Sequence, residues 1–513
     1  MKITKKALCL LLASVMLLAV LVACKKEQPP VDEQTSDIVS DDVSETTSET
    51  EEVWETDING YVLDNIGKDV NLGGREIRVL MGSYRKDEYL NDGDLGTPIK
   101  TAVFSRNQAV QTRLKCKLKF MEEPDGWEKQ DSYTQKAIGL ASTNEVDMFA
   151  VYSLNANGLM IYGLLADLLN NEIIEFDKPW WNSKMVESCS IYDRMYFCTG
   201  DIAYSLSDCT YVTLFNKDLS NNLGVPAYLQ EKYGVDTFYD LVDDGRWTLD
   251  AMMTAAKQFY HDEDGLKNGN DTYGYVTSAV FLDCFWAGSD LRHLEKGNDG
   301  SIIISDDMTS YKANNLAAKI VEFMKSPAVS VHGSFAKSEG DPVPQTFWRN
   351  NQSLFYTTTL NEYRIENNFE MGVLPVPKYD EDQHEYLSCS GFGYAMWGVC
   401  RNSEDRDELF YVLECMASES YRKTVPVFFE QMLLDRQDTE ADYKVLQGLR
   451  DSIIVDGGRV MDKVFNSMTF YVFRGPLVGG VEYASYYAKY DESLKEQAIA
   501  LNSLILNMEQ LYS

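Results

Sequence analysis

Arg75-Glu76-Ile77-Arg78-Val79-Leu80-Met81 opens the globular part of this 513-residue chain, and Gly82-Ser83 breaks the run. It alternates and then turns apolar, which predicts a strand entering a buried sheet. Val103, Phe104, Val110 and Leu114 share one face of a helix predicted over 100–114. Lys117-Leu118-Lys119-Phe120 alternates again and reads as a second strand. Another amphipathic stretch, over 130–141, leads into a third strand, Val146-Asp147-Met148-Phe149-Ala150-Val151-Tyr152. Strand, helix, strand, helix, strand is the pattern of a parallel sheet with crossover helices. Ligands of such sheets bind at the carboxyl ends of the strands. Ser83, Tyr84, Tyr152, Ser153 and Asn155 therefore gather around one expected crevice.

Upstream, Lys2, Lys5 and Lys6 precede an apolar run from Ala7 to Val22, closed by Leu21-Val22-Ala23-Cys24. A basic start, a short apolar run and a small residue before the cut make a secretory signal. The run falls short of the roughly 20 apolar residues that span a bilayer comfortably. Cys24 in this position resembles the lipobox of bacterial lipoproteins. That resemblance implies cleavage of residues 1–23, lipidation of the Cys24 thiol and anchoring on the extracellular face of the cell membrane. Between Lys25 and Ile58 twelve acids stand against two lysines, interleaved with Ser and Thr. Such a segment cannot bury enough apolar surface to offset chain entropy, so residues 24–58 read as a disordered, self-repelling tether.

The formal net charge is −33. Acidity on this scale excludes nucleic acid, whose recognition needs clustered Lys and Arg, and a second electrostatic contact with anionic lipid. About 450 residues follow the tether, too many for one core and enough for two lobes. Cys116, Cys189, Cys198, Cys209, Cys284, Cys389, Cys400 and Cys415 show no CxxC pair or finger spacing, so neither zinc nor any particular disulfide is assigned. The four histidines, His261, His293, His332 and His384, lie in no HExxH, and no GxSxG or P-loop occurs. With 80 acids in the chain, a glycosidase-like carboxylate pair carries no information. No catalytic residue, metal or cofactor is expected. In the acidic stretch Asp262 to Asp271 an EF-hand fails, because position five is Leu266 and position twelve is Tyr273. A looser calcium site and an Asx-rich turn both stay open there.

A series of further motifs runs in a recognisable order. Asn144-Glu145-Val146-Asp147 precedes the third strand, and Gly163-Leu164-Leu165-Ala166-Asp167-Leu168 follows it. Then come Lys178-Pro179-Trp180-Trp181-Asn182, Gly200-Asp201-Ile202, Leu214-Phe215-Asn216-Lys217 and Asp244-Gly245-Arg246-Trp247-Thr248-Leu249. Asp271-Thr272-Tyr273-Gly274-Tyr275 and Met371-Gly372-Val373-Leu374-Pro375-Val376-Pro377-Lys378 complete the set. Across residues 75–430 this order resembles extracellular solute-binding protein family 1, the binding components of carbohydrate-type ABC importers. The resemblance implies a periplasmic-binding-protein-like α/β fold: two α/β lobes around a central cleft, joined by several hinge crossings. It places the first part of lobe one at 59–215, lobe two at 216–375, the return to lobe one at 376–417 and mainly lobe-two helices at 418–513. Phe215-Asn216-Lys217 would be the first passage and Leu374-Pro375-Val376-Pro377 the return, where proline suits a connector better than a central strand. The implied protein is a monomeric lipoprotein that captures a sugar or oligosaccharide and delivers it to membrane permease subunits by closing its lobes.

Sugars present hydroxyls around apolar ring faces, so aromatic and hydrogen-bonding side chains together mark their sites. Matched by family position, the candidates are Tyr84, Tyr152 and Asn155 from lobe one, and Phe285 and Trp286 from lobe two. Tyr356, Thr358 and Glu362 follow Ser353-Leu354-Phe355, and Phe392 and Tyr394 lie in the return loop. Arg364 could clamp a carboxylate or form a surface salt bridge. Trp180-Trp181 reads as a structural wedge, and Thr248 as a helix N-cap. Two other readings remain: a binding protein for a peptide, polyamine or phosphorylated compound, and a surface glycan hydrolase.

Overall fold

The strands expected between Arg75 and Tyr152 form a parallel set in the computed structural model, which describes residues 54–90, 96–337, 341–434 and 439–512. β1 (Glu76–Gly82) pairs in parallel with β2 (Lys117–Glu123), from Glu76 opposite Lys117 to Gly82 opposite Glu123. On its other side it pairs in parallel with β3 (Met148–Tyr152), Val79 opposite Met148. The crossover helices are Pro98–Leu114 and Gln130–Ser142. The first begins at the Thr97 cap and ends at Lys115 in the left-handed region. Val103, Val110 and Leu114 face the core as patterned, while Phe104 is half-buried.

Beyond β3 the chain makes a second layer. Its strands are β4 (Tyr211–Asn216), β5 (Tyr273–Ser278), β8 (Val329–His332), β9 (Ser353–Thr359) and β10 (Met371–Leu374), in the order β10-β4-β9-β5-β8. A small hairpin, β6 (Leu294–Lys296) with β7 (Ile302–Ile304), stands apart. β11 (Ala395–Val399) returns to the first sheet and lies antiparallel to β3, giving β11-β3-β1-β2. Thr248 caps the helix that follows it, accepting from the Ala251 backbone at 3.2 Å.

Three expectations change. β4 already belongs to the second sheet, so the chain crosses before Tyr211 rather than at Phe215-Asn216-Lys217. The helix Arg406–Leu434 runs unbroken past 418 and packs against Pro98–Leu114, with Glu419 on Arg113 at 3.2 Å. Residues just beyond 418 therefore cover the first lobe, and helices Glu440–Ser452 and Met468–Gly479 pack on the second. The end of the expected tether is folded as well. Thr56 bridges Val62, Asp57 accepts the Asn59 and Tyr61 amides, and the Lys178 ammonium sits 5.3 Å from the Trp54 ring centre. Cys24, the signal segment and tether residues 24–53 lie outside the described residues.

The layers meet along short crossings. Thr210 bridges Ser390, and Ser388 bridges Ile453 in parallel. The segments around 209–211, 388–390 and 452–454 thus run side by side between the sheets. Trp180 and Trp181 are buried, and both indole N–H groups donate to the Glu414 carboxylate at 2.8 Å. Burial pushes Glu414 up to about 8, against those hydrogen bonds. All eight cysteines of the described residues are buried free thiols. No helix among the described residues is long and apolar enough to cross a membrane.

Candidate functional site

The carboxyl ends of β1 and β3 are tied together by a residue the sequence reading passed over. Asp125 sits in the turn after β2, and its carboxylate accepts the Tyr84 amide at 2.8 Å and the Tyr152 amide at 2.7 Å. Burial raises its pKa against those two backbone bonds. Tyr84 and Tyr152 then pack edge to face, with centroids 5.3 Å apart and planes at 78°. Tyr84 remains 57% exposed while Tyr152 is 8% exposed, so one ring presents a free face and the other supports it. Burial, then the neighbouring Tyr84, raises the Tyr152 phenol well above its ordinary value.

The return loop completes this edge. Ser153 donates to the Phe392 carbonyl at 2.8 Å, and its amide bonds the Tyr394 carbonyl at 2.9 Å. Across from it, the buried Arg459 guanidinium stacks 4.5 Å from the Phe392 ring centre and donates to Asp283 at 2.8 Å. Arg474 donates to the same Asp283 carboxylate, at 3.0 Å through Nε. Asp456 caps the turn carrying Arg459 and also accepts from the His293 amide, with the His293 ring nitrogen 3.1 Å away. Burial opposes the Asp456 charge, but His293 and the backbone donors outweigh it and hold the carboxyl far below the usual range.

A second paired carboxylate stands beside the tyrosines. Arg85 donates to Asp208 at 3.0 Å and to the Cys209 sulfur at 2.7 Å, and Arg364 reaches Asp208 at 2.7 Å. Arg364 is thus in an ion pair with a buried acid. Burial works against the Arg85 charge, and Cys209, Asp208 and Glu88 outweigh it and raise its pKa. Burial lifts the Cys209 thiol to about 12, which leaves it protonated.

Of the candidate residues, Tyr84, Tyr152, Phe392 and Tyr394 come together here. Asn155 lies just behind, fully buried, with neither side-chain polar atom hydrogen-bonded. The others are elsewhere. Phe285 and Trp286 are core residues, Trp286 stacked on His293 at 5.1 Å and packed on Phe473. Their neighbour Asp283 is the one that reaches the site. Tyr356 and Thr358 are buried in β9, Tyr356 against Trp348, and Glu362 pairs with Arg349 at 3.3 Å. Asp125 had a signal in Pro124-Asp125-Gly126, a turn at the end of a parallel strand. Arg459 had none, because its partners lie far away in sequence.

The space enclosed by Phe392, Tyr394, Ser390 and Arg459 is about 10 Å³. Asp262, Asp264 and Asp271 bring ligand atoms within 4.8 Å of one another, but their bonds stay local. Asp262 and Asp264 accept following amides as Asx turns, and Asp271 accepts the Tyr260 hydroxyl at 2.8 Å.

No family model and no curated protein matches the chain. Solved structures do. A sugar transporter of Rhizobium etli in an open conformation aligns with TM-score 0.52 at 12% identity, over 82% of this chain and 99% of that one. The galacto-N-biose/lacto-N-biose I-binding protein of a Bifidobacterium longum ABC transporter, in complex with lacto-N-biose, gives 0.52 at 12%, over 85% and 98%. UgpB from Mycobacterium tuberculosis, in complex with glycerophosphocholine, gives 0.52 at 11%, over 83% and 98%. At these identities the likeness shows the fold, two α/β lobes of the periplasmic-binding-protein type.

Proposed function

Taking that two-lobed fold as the premise, we propose that this chain is a solute-binding lipoprotein that captures a sugar or oligosaccharide for an ABC permease. One observation carries the reading: Tyr84 and Tyr152 pack together at the carboxyl ends of β1 and β3, and Ser153 ties that edge to the loop of Phe392, whose ring carries Arg459. Stacking faces beside fixed carboxylates and guanidiniums are what a polyhydroxylated ring requires. The enclosed space of about 10 Å³ is water-sized. A sugar ring therefore enters only if the lobes part, and its contacts with both would draw them together again. Lipidation at Cys24 would hold the protein beside its permease, and no bond chemistry is required of it.

One observation favours a second reading, an anionic solute such as a phosphorylated compound. Asp208 is shared by Arg85 and Arg364, and Asp283 by Arg459 and Arg474, so each of these two carboxylates faces two guanidiniums. A thermal-shift screen of the purified protein separates the two. Saturable stabilisation by neutral mono- or oligosaccharides supports the first. Stabilisation by phosphorylated solutes alone, weakening with salt, would replace it with the second.

A further inference from the structure

The space missing in front of the crossings lies behind them. A solvent-open cavity of about 660 Å³ borders Ser452, Ile453, Tyr386 and Leu206, within the size range of small-molecule sites. Ile453 lines it, whereas the next residue, Ile454, lines the small front cavity. Successive side chains of an extended segment point to opposite sides, so this crossing separates the two spaces. We propose that the rear cavity is a second ligand-binding site, distinct from the one at Tyr84 and Tyr152, for an uncharged, ring-bearing small molecule.

The wall is aromatic and fixed. Trp181 is locked by its bond to Glu414, and Tyr204 stacks on Phe428 at 5.3 Å with planes 29° apart. Such faces hold the flat side of a ring. The polar element is Arg450, which pairs through Nε at 3.1 Å and Nη2 at 2.6 Å with the buried Asp201. Its Nη1 makes no hydrogen bond among the described residues and is left to donate to a hydroxyl or carbonyl oxygen. Charge decides against an ion. Lys444 pairs with Asp243 at 2.7 Å and Lys184 lies 3.7 Å from Glu385, so each cation on the lining has its own acid. The remaining acid, Asp451, is exposed, where water and salt screen it.

Gly448 stands at the exposed rim of the cavity. It lies inside the helix Glu440–Ser452 on the cavity lining, where glycine costs about 0.5–1 kcal/mol relative to alanine. A Cβ there would meet nothing within 4 Å, so neither crowding nor positive φ demands glycine. The glycine leaves the mouth of the cavity open.

The test uses the full-length protein and benzamide, a neutral aromatic ring with a carbonyl oxygen and no sugar for the front site to take. Calorimetry should show saturable binding to the wild type and to Gly448→Ala. Gly448→Trp, which sets an indole across the cavity mouth, should weaken binding at least about tenfold, roughly 1.4 kcal/mol, with the melting temperature kept. Gly448→Phe serves if the larger ring does not fold. Tyr152→Ala should leave this binding in place. No saturable binding to the wild type, equal binding by both bulky variants, or loss on Tyr152→Ala alone would each overturn the proposal.

Discussion

Gly82 and Asp125 approach so closely that a Cβ on Gly82 would stand 1.7 Å from the Asp125 Oδ2. The glycine that ends β1 is therefore what lets one carboxylate reach the amides of both Tyr84 and Tyr152. Gly82→Ala should expel that carboxylate and orphan two amides, destabilising by about 2–3 kcal/mol. Urea unfolding checks this, and an unchanged midpoint would show that the junction relaxes freely.

Tyr84 and Trp286 should respond in opposite ways. Tyr84 is exposed at the proposed site, so Tyr84→Ala should leave the melting temperature near the wild-type value and weaken sugar binding about tenfold, the worth of one stacking face. Trp286 is 1% exposed in the core, so Trp286→Ala should cost about 3–5 kcal/mol. Calorimetry and melting of the two variants side by side decide it; the reverse pattern would move the site.

Arg459 joins the turn capped by Asp456 to Asp283 and to the Phe392 ring. Arg459→Met should cost about 3 kcal/mol, with Asp283 still held by Arg474. A double-mutant cycle with Asp283→Asn should return a coupling of at least about 1 kcal/mol. Strict additivity would mean that the pair is not energetically linked.

Glu414 gives a pH signature. Its folded pKa, raised from 4.5 to about 8, means that the native state favours the protonated acid. This contribution is complete below pH 4.5 and is lost as pH rises through 8. Glu414→Gln cannot titrate, and its amide leaves one indole N–H without an acceptor. Wild type should exceed the variant most at pH 5, with the gap narrowing toward pH 8. Unfolding free energies across that range test it; a gap that widens with pH would mean that the native state favours the charged carboxylate.

The parallel core was legible because β1, β2 and β3 and their helices each carry their own period, and local pattern fixes local structure. Tyr84 and Tyr152 could be placed for the same reason: the carboxyl end of a strand is a position the pattern defines. Trp286, Tyr356 and Thr358 misled because an aromatic or polar residue after a strand looks alike whether it faces a cleft or a core. Which way each side chain turns depends on neighbours such as Phe473 and Trp348, brought close only by folding.

By itself, then, the sequence determined the strand-and-helix order of the first lobe and the acidic character of the chain. Tertiary structure alone decided that Asp125, Asp283 and Arg459 meet Tyr152 and Phe392, and that the crossings leave little room in front and much behind. The reason is range. Periodicity records interactions between residues a few positions apart, whereas Asp283 and Arg459 are 176 positions apart and pair only once the chain has folded.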